Sequence, residues 1–96
     1  TINWELIGYK WFKVDMYLKD YNKIHQIIKY LEKNQYLAYI DKTLGYADLE
    51  LELIVKNVDQ LKQIIEDISI KFPKMIRSYM YFSVAKSHKW IDIPEE

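Results

Sequence analysis

The chain has 96 residues, half of them hydrophobic and 16% aromatic, a composition that predicts one folded domain and argues against disorder. Fourteen basic side chains balance fourteen acidic ones, so the overall charge attracts neither nucleic acid nor an anionic membrane. Cysteine is absent, which excludes disulfides and fits a reducing, cytoplasmic location; no apolar run reaches the roughly 18 residues of a membrane-spanning helix.

Four segments show the alternation of a β-strand, and two show the spacing of an amphipathic helix. We expect residues 1–8 to be a lead-in or linker stump, residues 9–85 to form one domain, and residues 86–96 to be a tail that can add an edge strand. The predicted strands cover residues 9–18, 36–44, 47–55 and 75–85. Apolar residues recur every three or four positions between the first two strands and between the last two, which predicts two helices.

Capping residues mark the predicted helices. Asp20 can cap the first, Asn57 can cap the second with Gln60 reaching back as in a capping box, and Pro73 ends it. The order strand, helix, strand, strand, helix, strand predicts a ferredoxin-like α+β fold (βαββαβ), with two helices on one face of a four-stranded antiparallel sheet. The side chains predicted to face the helices are Phe12, Val14, Met16, Leu49, Leu51, Leu53, Met80, Phe82 and Val84.

The second strand has no clear phase. Leu37 and Tyr39 compete with Ala38 and Ile40 for its buried face, so the alternation leaves its orientation open.

The other face of the predicted sheet carries too many aromatic rings to remain in water. Its charged and aromatic side chains are predicted to be Trp11, Lys13, Asp15, Tyr17, Glu50, Glu52, Tyr79 and Tyr81. RNA is disfavoured as a cover because the carboxylates of the central third strand would repel phosphate. A second copy of the chain fits best, through an isologous interface formed by Trp11, Lys13, Tyr17, Glu50, Glu52, Tyr79 and Tyr81.

An enzyme of the dimeric α+β barrel type is the alternative, but no catalytic set is evident. The two histidines, His25 and His88, lie far apart in the sequence, and no serine has a base beside it. The acids on the third strand are a weak metal signal, since Lys13 on a neighbouring strand can neutralise them instead. No cofactor or metal is predicted.

A turn between the second and third strands is the most specific local feature. Gly45 is one of two glycines, and it allows the positive φ that such a turn requires. Asp48 follows three residues later. It can bind a ligand, or it can only stabilise the turn by hydrogen bonding to backbone, as aspartates often do.

The run from Asp41 to Glu52, with its Gly-x-x-Asp turn, resembles the C-terminal domain of Lrp/AsnC-type (feast/famine) transcription regulators. The helix ending in Lys71-Phe72-Pro73 and the following Ile76-Arg77-Ser78-Tyr79 extend the likeness over about residues 6–94. The resemblance implies a ferredoxin-like domain of dimeric α+β barrel type that dimerises through its sheet and joins into larger assemblies. It also implies an amino-acid effector in clefts near the turn, against Leu44, Gly45, Tyr46, Ala47 and Asp48.

Two departures qualify what the resemblance implies. Many members have an aromatic residue directly before the aspartate, where this chain has Ala47 and carries its ring at Tyr46, so the pocket wall differs. The residues before Tyr9 are too few for a helix-turn-helix, so this chain alone is not expected to read DNA. A ligand-free assembly module remains a further alternative.

Overall fold

The computed structural model describes residues 7–84 of the chain. Four strands alternate with two helices in the predicted order: β1 (Lys10–Leu18), α1 (Ile24–Glu32), β2 (Leu37–Lys42), β3 (Leu49–Val55), α2 (Val58–Lys71) and β4 (Ile76–Ser83). A short 3-10 turn, Tyr21–Lys23, leads into α1. The predicted tail (86–96), His88 and most of the predicted lead-in (1–8) lie outside the described residues.

The strands form one antiparallel sheet in the order β2-β3-β1-β4. The two central strands, β1 and β3, each bury the apolar side chains at alternate positions on the helix side, from Phe12 to Leu18 and from Leu49 to Val55. This arrangement confirms the ferredoxin-like α+β fold.

Both helices contribute to a single core against one face of the sheet. α1 buries Ile24, Ile27 and Leu31, and α2 buries four side chains along one stripe. The buried apolar residues of the core are Phe12, Val14, Met16, Leu18, Ile24, Ile27, Leu31, Leu49, Leu51, Leu53, Val55, Leu61, Ile64, Ile65 and Ile68. The predicted helix-facing positions of β1 and β3 are therefore confirmed.

The cap predicted for α2 is confirmed, whereas the cap predicted for α1 lies one turn earlier. Asp20 accepts a hydrogen bond from the backbone N–H of Asn22 at 3.0 Å and so caps the 3-10 turn, while the N-cap position of α1 is Lys23, which makes no side-chain capping bond. At α2, the N–H of Gln60 donates to Asn57 Oδ1 at 2.8 Å, and the N–H of Lys56 donates to Gln60 Oε1 at 2.8 Å. The first bond satisfies a donor that the first turn of a helix leaves free. The second resembles a capping box, but the Gln60 side chain bonds the N–H of the residue before the N-cap.

The predicted facing of β4 is wrong. Tyr79 and Tyr81 lie opposite Met16 and Val14 in the register, so they point to the helix side rather than away from it. The ring of Tyr81 meets that of Phe12 edge-on, with centroids 6.0 Å apart. Tyr79 packs against the core.

The three residues predicted to face the helices from β4 and just beyond it lie on the opposite side. Met80 and Phe82 pair with Asp15 and Lys13, and they remain 53% and 43% exposed. Val84, whose N–H donates to the Trp11 carbonyl at 2.9 Å, continues this phase. The alternation of β4 could not decide its orientation, because large apolar or aromatic side chains occupy both of its faces.

A bulge resolves the ambiguous phase of β2. Leu37 pairs with Leu53, but Tyr39 pairs with Glu52, so Ala38 is an extra residue in β2. Side chains on both sides of the bulge, Leu37 and Ile40, therefore pack against the core.

Candidate functional site

The face of the sheet turned away from the helices is called the open face below, and no described element covers it. Strand register places these side chains on it: Tyr39, Asp41, Glu50, Glu52, Ile54, Trp11, Lys13, Asp15, Tyr17, Ser78, Met80 and Phe82. Among them are four carboxylates but one lysine. The face has a charged part on β1, β2 and β3 beside the β2–β3 loop. Its apolar part is formed by Trp11 and by Met80 and Phe82 on β4.

The charged part is organised around Lys13. Its Nζ lies 3.3 Å from Glu50 Oε2 and 3.8 Å from Asp15 Oδ1. The ring of Tyr46 reaches over from the loop, with its centroid 5.8 Å from the same Nζ. The Tyr46 hydroxyl donates to Glu50 Oε1 at 2.9 Å. We call Asp15, Glu50 and Tyr46 the ammonium cage, since together they surround one ammonium group.

Two pKa shifts follow from these contacts. The hydrogen bond to Glu50 raises the pKa of Lys13 above the ordinary lysine value, and the nearby charges of Asp15 and Glu50 add to this while burial opposes it. The hydrogen bond to Glu50 also raises the pKa of Tyr46, because an ionised phenolate would lose that bond and be repelled by the carboxylate. Both groups therefore keep their protons to higher pH than usual.

Asp15 is the buried polar residue of this face. It is 9% exposed, and its Oδ1 is buried without a hydrogen-bond donor. Glu50 lies directly opposite it in the register, and Asp41 lies opposite Glu50 on the far side. Three carboxylates thus form one row across three strands, an arrangement that is unfavourable unless cations compensate it.

The apolar part of the open face consists of Trp11, which lies farther from the loop, and two side chains of β4. Trp11 Nε1 donates to Glu52 Oε1 at 3.0 Å, so this indole is oriented across β1 and β3. Phe82 and Met80 present much of their surface to solvent, opposite Lys13 and Asp15 in the register. Exposed rings and a methionine rimmed by charges are features of protein interaction surfaces.

The β2–β3 loop carries the five predicted ligand residues. Gly45 has φ +90°, the left-handed conformation predicted for it. At the tip, Leu44 is 92% exposed and Tyr46 is 53% exposed, whereas Ala47 is buried. Gly45 and Leu44 therefore form the most accessible part of the loop.

Asp48 fixes the loop to the end of β1. Its Oδ2 accepts the N–H of Leu18 at 2.7 Å, and its own N–H donates to the Met16 carbonyl at 2.9 Å. The N–H of Thr43 closes the loop onto the Asp48 carbonyl at 3.2 Å, and the Thr43 hydroxyl donates to the Ala47 carbonyl. One carboxylate oxygen of Asp48 thus has a structural role within the fold.

The structure brings together residues from two predicted sets, the ligand-binding residues and the dimer-interface residues. Tyr46, predicted as a ligand residue, touches Lys13 and Glu50, predicted as interface residues. The predicted neutralisation of acids by Lys13 occurs within the chain. Trp11, Tyr17 and Glu52 lie on the open face as expected, whereas Tyr79 and Tyr81 do not.

Sequence reasoning assigned no role to Asp15, Met80 or Phe82 in this site. Asp15 was placed on the correct face, but nothing in the sequence shows that it is buried there. The sequence could not show that Met80 and Phe82 belong to this face, because large apolar or aromatic side chains occupy both faces of β4.

Other features of the described residues offer less chemistry. A shallow groove of about 470 Å³ runs along one end of β2 and β3, lined mainly by apolar side chains including Ile7, Leu37 and Ile54. Within residues 7–84, no group of three or more acidic or histidine side chains is placed to hold a metal ion. His25 is exposed on α1. No helix in this part of the chain is long and apolar enough to cross a membrane.

Comparison with known proteins finds similarity in structure alone. No family model matches the sequence, and no curated protein matches it. Solved structures with the same fold include AsnC of Escherichia coli, with a TM-score of 0.73 and 15% identity over 88% of this chain and 56% of that one. A transcriptional regulator from Neisseria meningitidis, solved as a complex with L-Met, has a TM-score of 0.72 and 10% identity over 91% and 57%.

A further similar structure, a hypothetical protein of Pyrococcus horikoshii, is matched over nearly its whole length. Its TM-score is 0.63 at 17% identity, over 81% of this chain and 92% of that one. By contrast, this chain spans only 56–58% of the length of the AsnC-type regulators and other proteins of the first five matches.

Proposed function

We propose that this chain is the effector-sensing and oligomerisation domain of an Lrp/AsnC-type transcription regulator. The open face is the observation on which the proposal chiefly depends, because a sheet face with exposed rings needs a cover. The likeness in fold to AsnC over 88% of the chain supports the choice of this class over others. Contact with DNA would then require a separate domain, and the protein would act in the cytoplasm.

The cover that we propose for the open face is a second copy of the chain. Two sheets packed face to face would bury the apolar part of each open face, Trp11, Met80 and Phe82. In an isologous pair each such contact occurs twice, which strengthens even a small interface. Met80 and Phe82 take the places in this interface that Tyr79 and Tyr81 had in the prediction from sequence.

The effector that we propose is an amino acid at the β2–β3 loop. Gly45 has no side chain to shield the loop backbone, so its N–H groups can approach a carboxylate. The loop residues Leu44, Gly45, Tyr46, Ala47 and Asp48 remain the predicted contacts. A ligand that binds one assembly state better than another would shift the oligomeric state, and attached DNA-binding domains would respond to that shift.

Light scattering coupled to size exclusion tests the proposed assembly. Phe82→Asp should lower the mass of the wild-type oligomer, because it replaces an apolar side chain of the open face with a charge. Ile70→Asp is the matched control, since Ile70 is 69% exposed on α2 and should leave the mass unchanged. A monomeric wild-type chain, or equal masses for both variants, would refute self-association through this face.

Calorimetric titration with a panel of amino acids tests the proposed effector. Asp48→Asn removes a charge while keeping an oxygen to accept the Leu18 N–H, so the loop should stay in place. Weaker binding in this variant but not in Asp67→Asn, on α2, would place the ligand at the loop. If no amino acid releases heat or changes the oligomer mass, the chain is an assembly module without an effector.

A further inference from the structure

We propose that the ammonium cage of Asp15, Glu50 and Tyr46 is a binding site for a primary ammonium group, which Lys13 occupies in the free chain and an external amine can take over. Two acceptors and one aromatic face surround the Lys13 Nζ, at 3.3 Å from Glu50, 3.8 Å from Asp15 and 5.8 Å from the Tyr46 centroid. Carboxylates and an aromatic face are the groups that recognise ammonium ligands.

Asp15 Oδ1 is the carboxylate oxygen of the cage that Lys13 contacts through an ion pair but not through a hydrogen bond. Asp15 Oδ1 is buried and lacks a donor, and the Lys13 ammonium at 3.8 Å is too far to supply one. A buried carboxylate oxygen without a donor is costly. An ammonium group seated deeper than the tethered lysine permits could donate to Asp15 and Glu50 at once.

The charge balance of the row also leaves room for a cation. Asp41, Glu50 and Asp15 lie side by side across three strands, and Lys13 is the lysine that the open face provides for them. Arg77 lies at the rim, where its guanidinium carbon is 5.8 Å from the ring centroid of Tyr17. An incoming ammonium would therefore be attracted while Lys13 moves out to solvent, and Lys13 is already one-third exposed, with a side-chain accessibility of 34%.

Access to the cage is from the loop side. Tyr46 forms its lid and is 53% exposed. The exposed Met80 and Phe82 flank the cage on its β4 side, opposite Asp15 and Lys13 in the register. The cage thus deepens the proposed function by assigning the ammonium of an amino-acid effector to Glu50 and Asp15, with the carboxylate toward Gly45.

Chemical rescue tests the cage without any assumption about the effector. Lys13→Ala removes the equivalent of propylamine from the side chain, so propylammonium chloride is the probe, and melting temperature and calorimetric heat are the readouts. Propylammonium should bind this variant at least about tenfold more tightly than wild type, whose tethered lysine competes at an effective concentration of roughly millimolar or more. Tetramethylammonium, which has no N–H donor, should not reproduce the effect.

Matched variants identify the contacting groups. Adding Asp15→Asn or Glu50→Gln to Lys13→Ala should each weaken propylammonium binding about tenfold or more, since each removes one charged acceptor. Lys10→Ala is the control lysine, on the same strand but on the helix side by alternation, and it should show no rescue. Equal affinity of Lys13→Ala and wild type for propylammonium, or no effect of Asp15→Asn, would overturn the proposal.

A measurement on the wild-type chain keeps the test independent of how well the variants fold. The 13Cε resonance of Lys13 should move toward that of a solvated lysine as propylammonium is added, and an unchanged resonance would overturn displacement. Failure of the cage is distinguishable from failure of the proposed function. If propylammonium rescues Lys13→Ala but no amino acid changes the oligomer mass, the ammonium site is supported and the amino-acid effector is refuted. If an amino acid changes the oligomer mass but propylammonium does not rescue Lys13→Ala, the effector is supported and the ammonium site is refuted.

Discussion

Replacing Asp48 with alanine should destabilise the fold even when no ligand is present. Its Oδ2 accepts the N–H of Leu18 at 2.7 Å, and Leu18 is buried. A hydrogen bond to a charged group contributes roughly 1.5–3 kcal/mol, and its loss would leave the N–H of a buried residue without this partner. For a domain of this size, that loss corresponds to a melting temperature lower by roughly 6–15 °C.

Urea unfolding followed by far-ultraviolet circular dichroism measures this effect. The midpoint should fall for Asp48→Ala while the slope m stays unchanged, because the same surface is exposed on unfolding. Asp48→Asn retains an acceptor and should lose less than half as much. Glu66→Ala, at an exposed position on α2, should stay within about 0.5 kcal/mol of wild type.

A null result would change the interpretation of the loop. If Asp48→Ala unfolds within about 0.5 kcal/mol of wild type, the carboxylate does not hold the loop on β1. Its charge would then be available in full for a ligand.

Three further outcomes test the local physics. Gly45→Ala should cost roughly 1–2 kcal/mol because φ is +90°, even though an added Cβ would meet no atom within 4 Å. Asn57→Ala should cost about 1 kcal/mol through loss of the α2 cap, and Asn57→Ser should recover most of it; equal losses would refute capping. Because folding raises the pKa values of Tyr46 and Lys13 above 10.0 and 10.5, the unfolded chain loses these protons first, so their contribution to stability is complete below pH 10 and declines above it. Chemical denaturation above pH 10 should show the free energy of unfolding falling less steeply with pH in Glu50→Gln than in wild type. The same dependence on pH in both proteins would contradict the role of Glu50 in raising the two pKa values.

The sequence was sufficient for the fold because most elements carried one unmistakable pattern. β3 has leucine or valine at every second position and acids between them at its start, so only one orientation buries its apolar side. The helix cap at Asn57 and the positive φ of Gly45 were also predictable, because these depend on residues only a few positions apart.

The remaining features depend on partners that are distant along the chain. The hydrogen bond between Asp48 and the N–H of Leu18 joins positions 30 residues apart, so no local sequence pattern predicts it. The burial of Asp15 arises from β3 and β4 packing on either side of β1. The facing of β4 was decided by its register with β1, since Tyr81 and Phe82 fit a core almost equally well.

The two outer strands of the described sheet each contain one residue too many for a regular ladder. Ala38 is the surplus residue in β2, and Arg77 is the surplus residue in β4, where Ser78 and Ile76 pair with consecutive residues of β1. A bulge of this kind bends and twists an edge strand, so that a further strand pairs with it poorly. Lateral growth into a continuous, amyloid-like ribbon is thereby discouraged along both margins of the described sheet, which leaves the open face for the association proposed above.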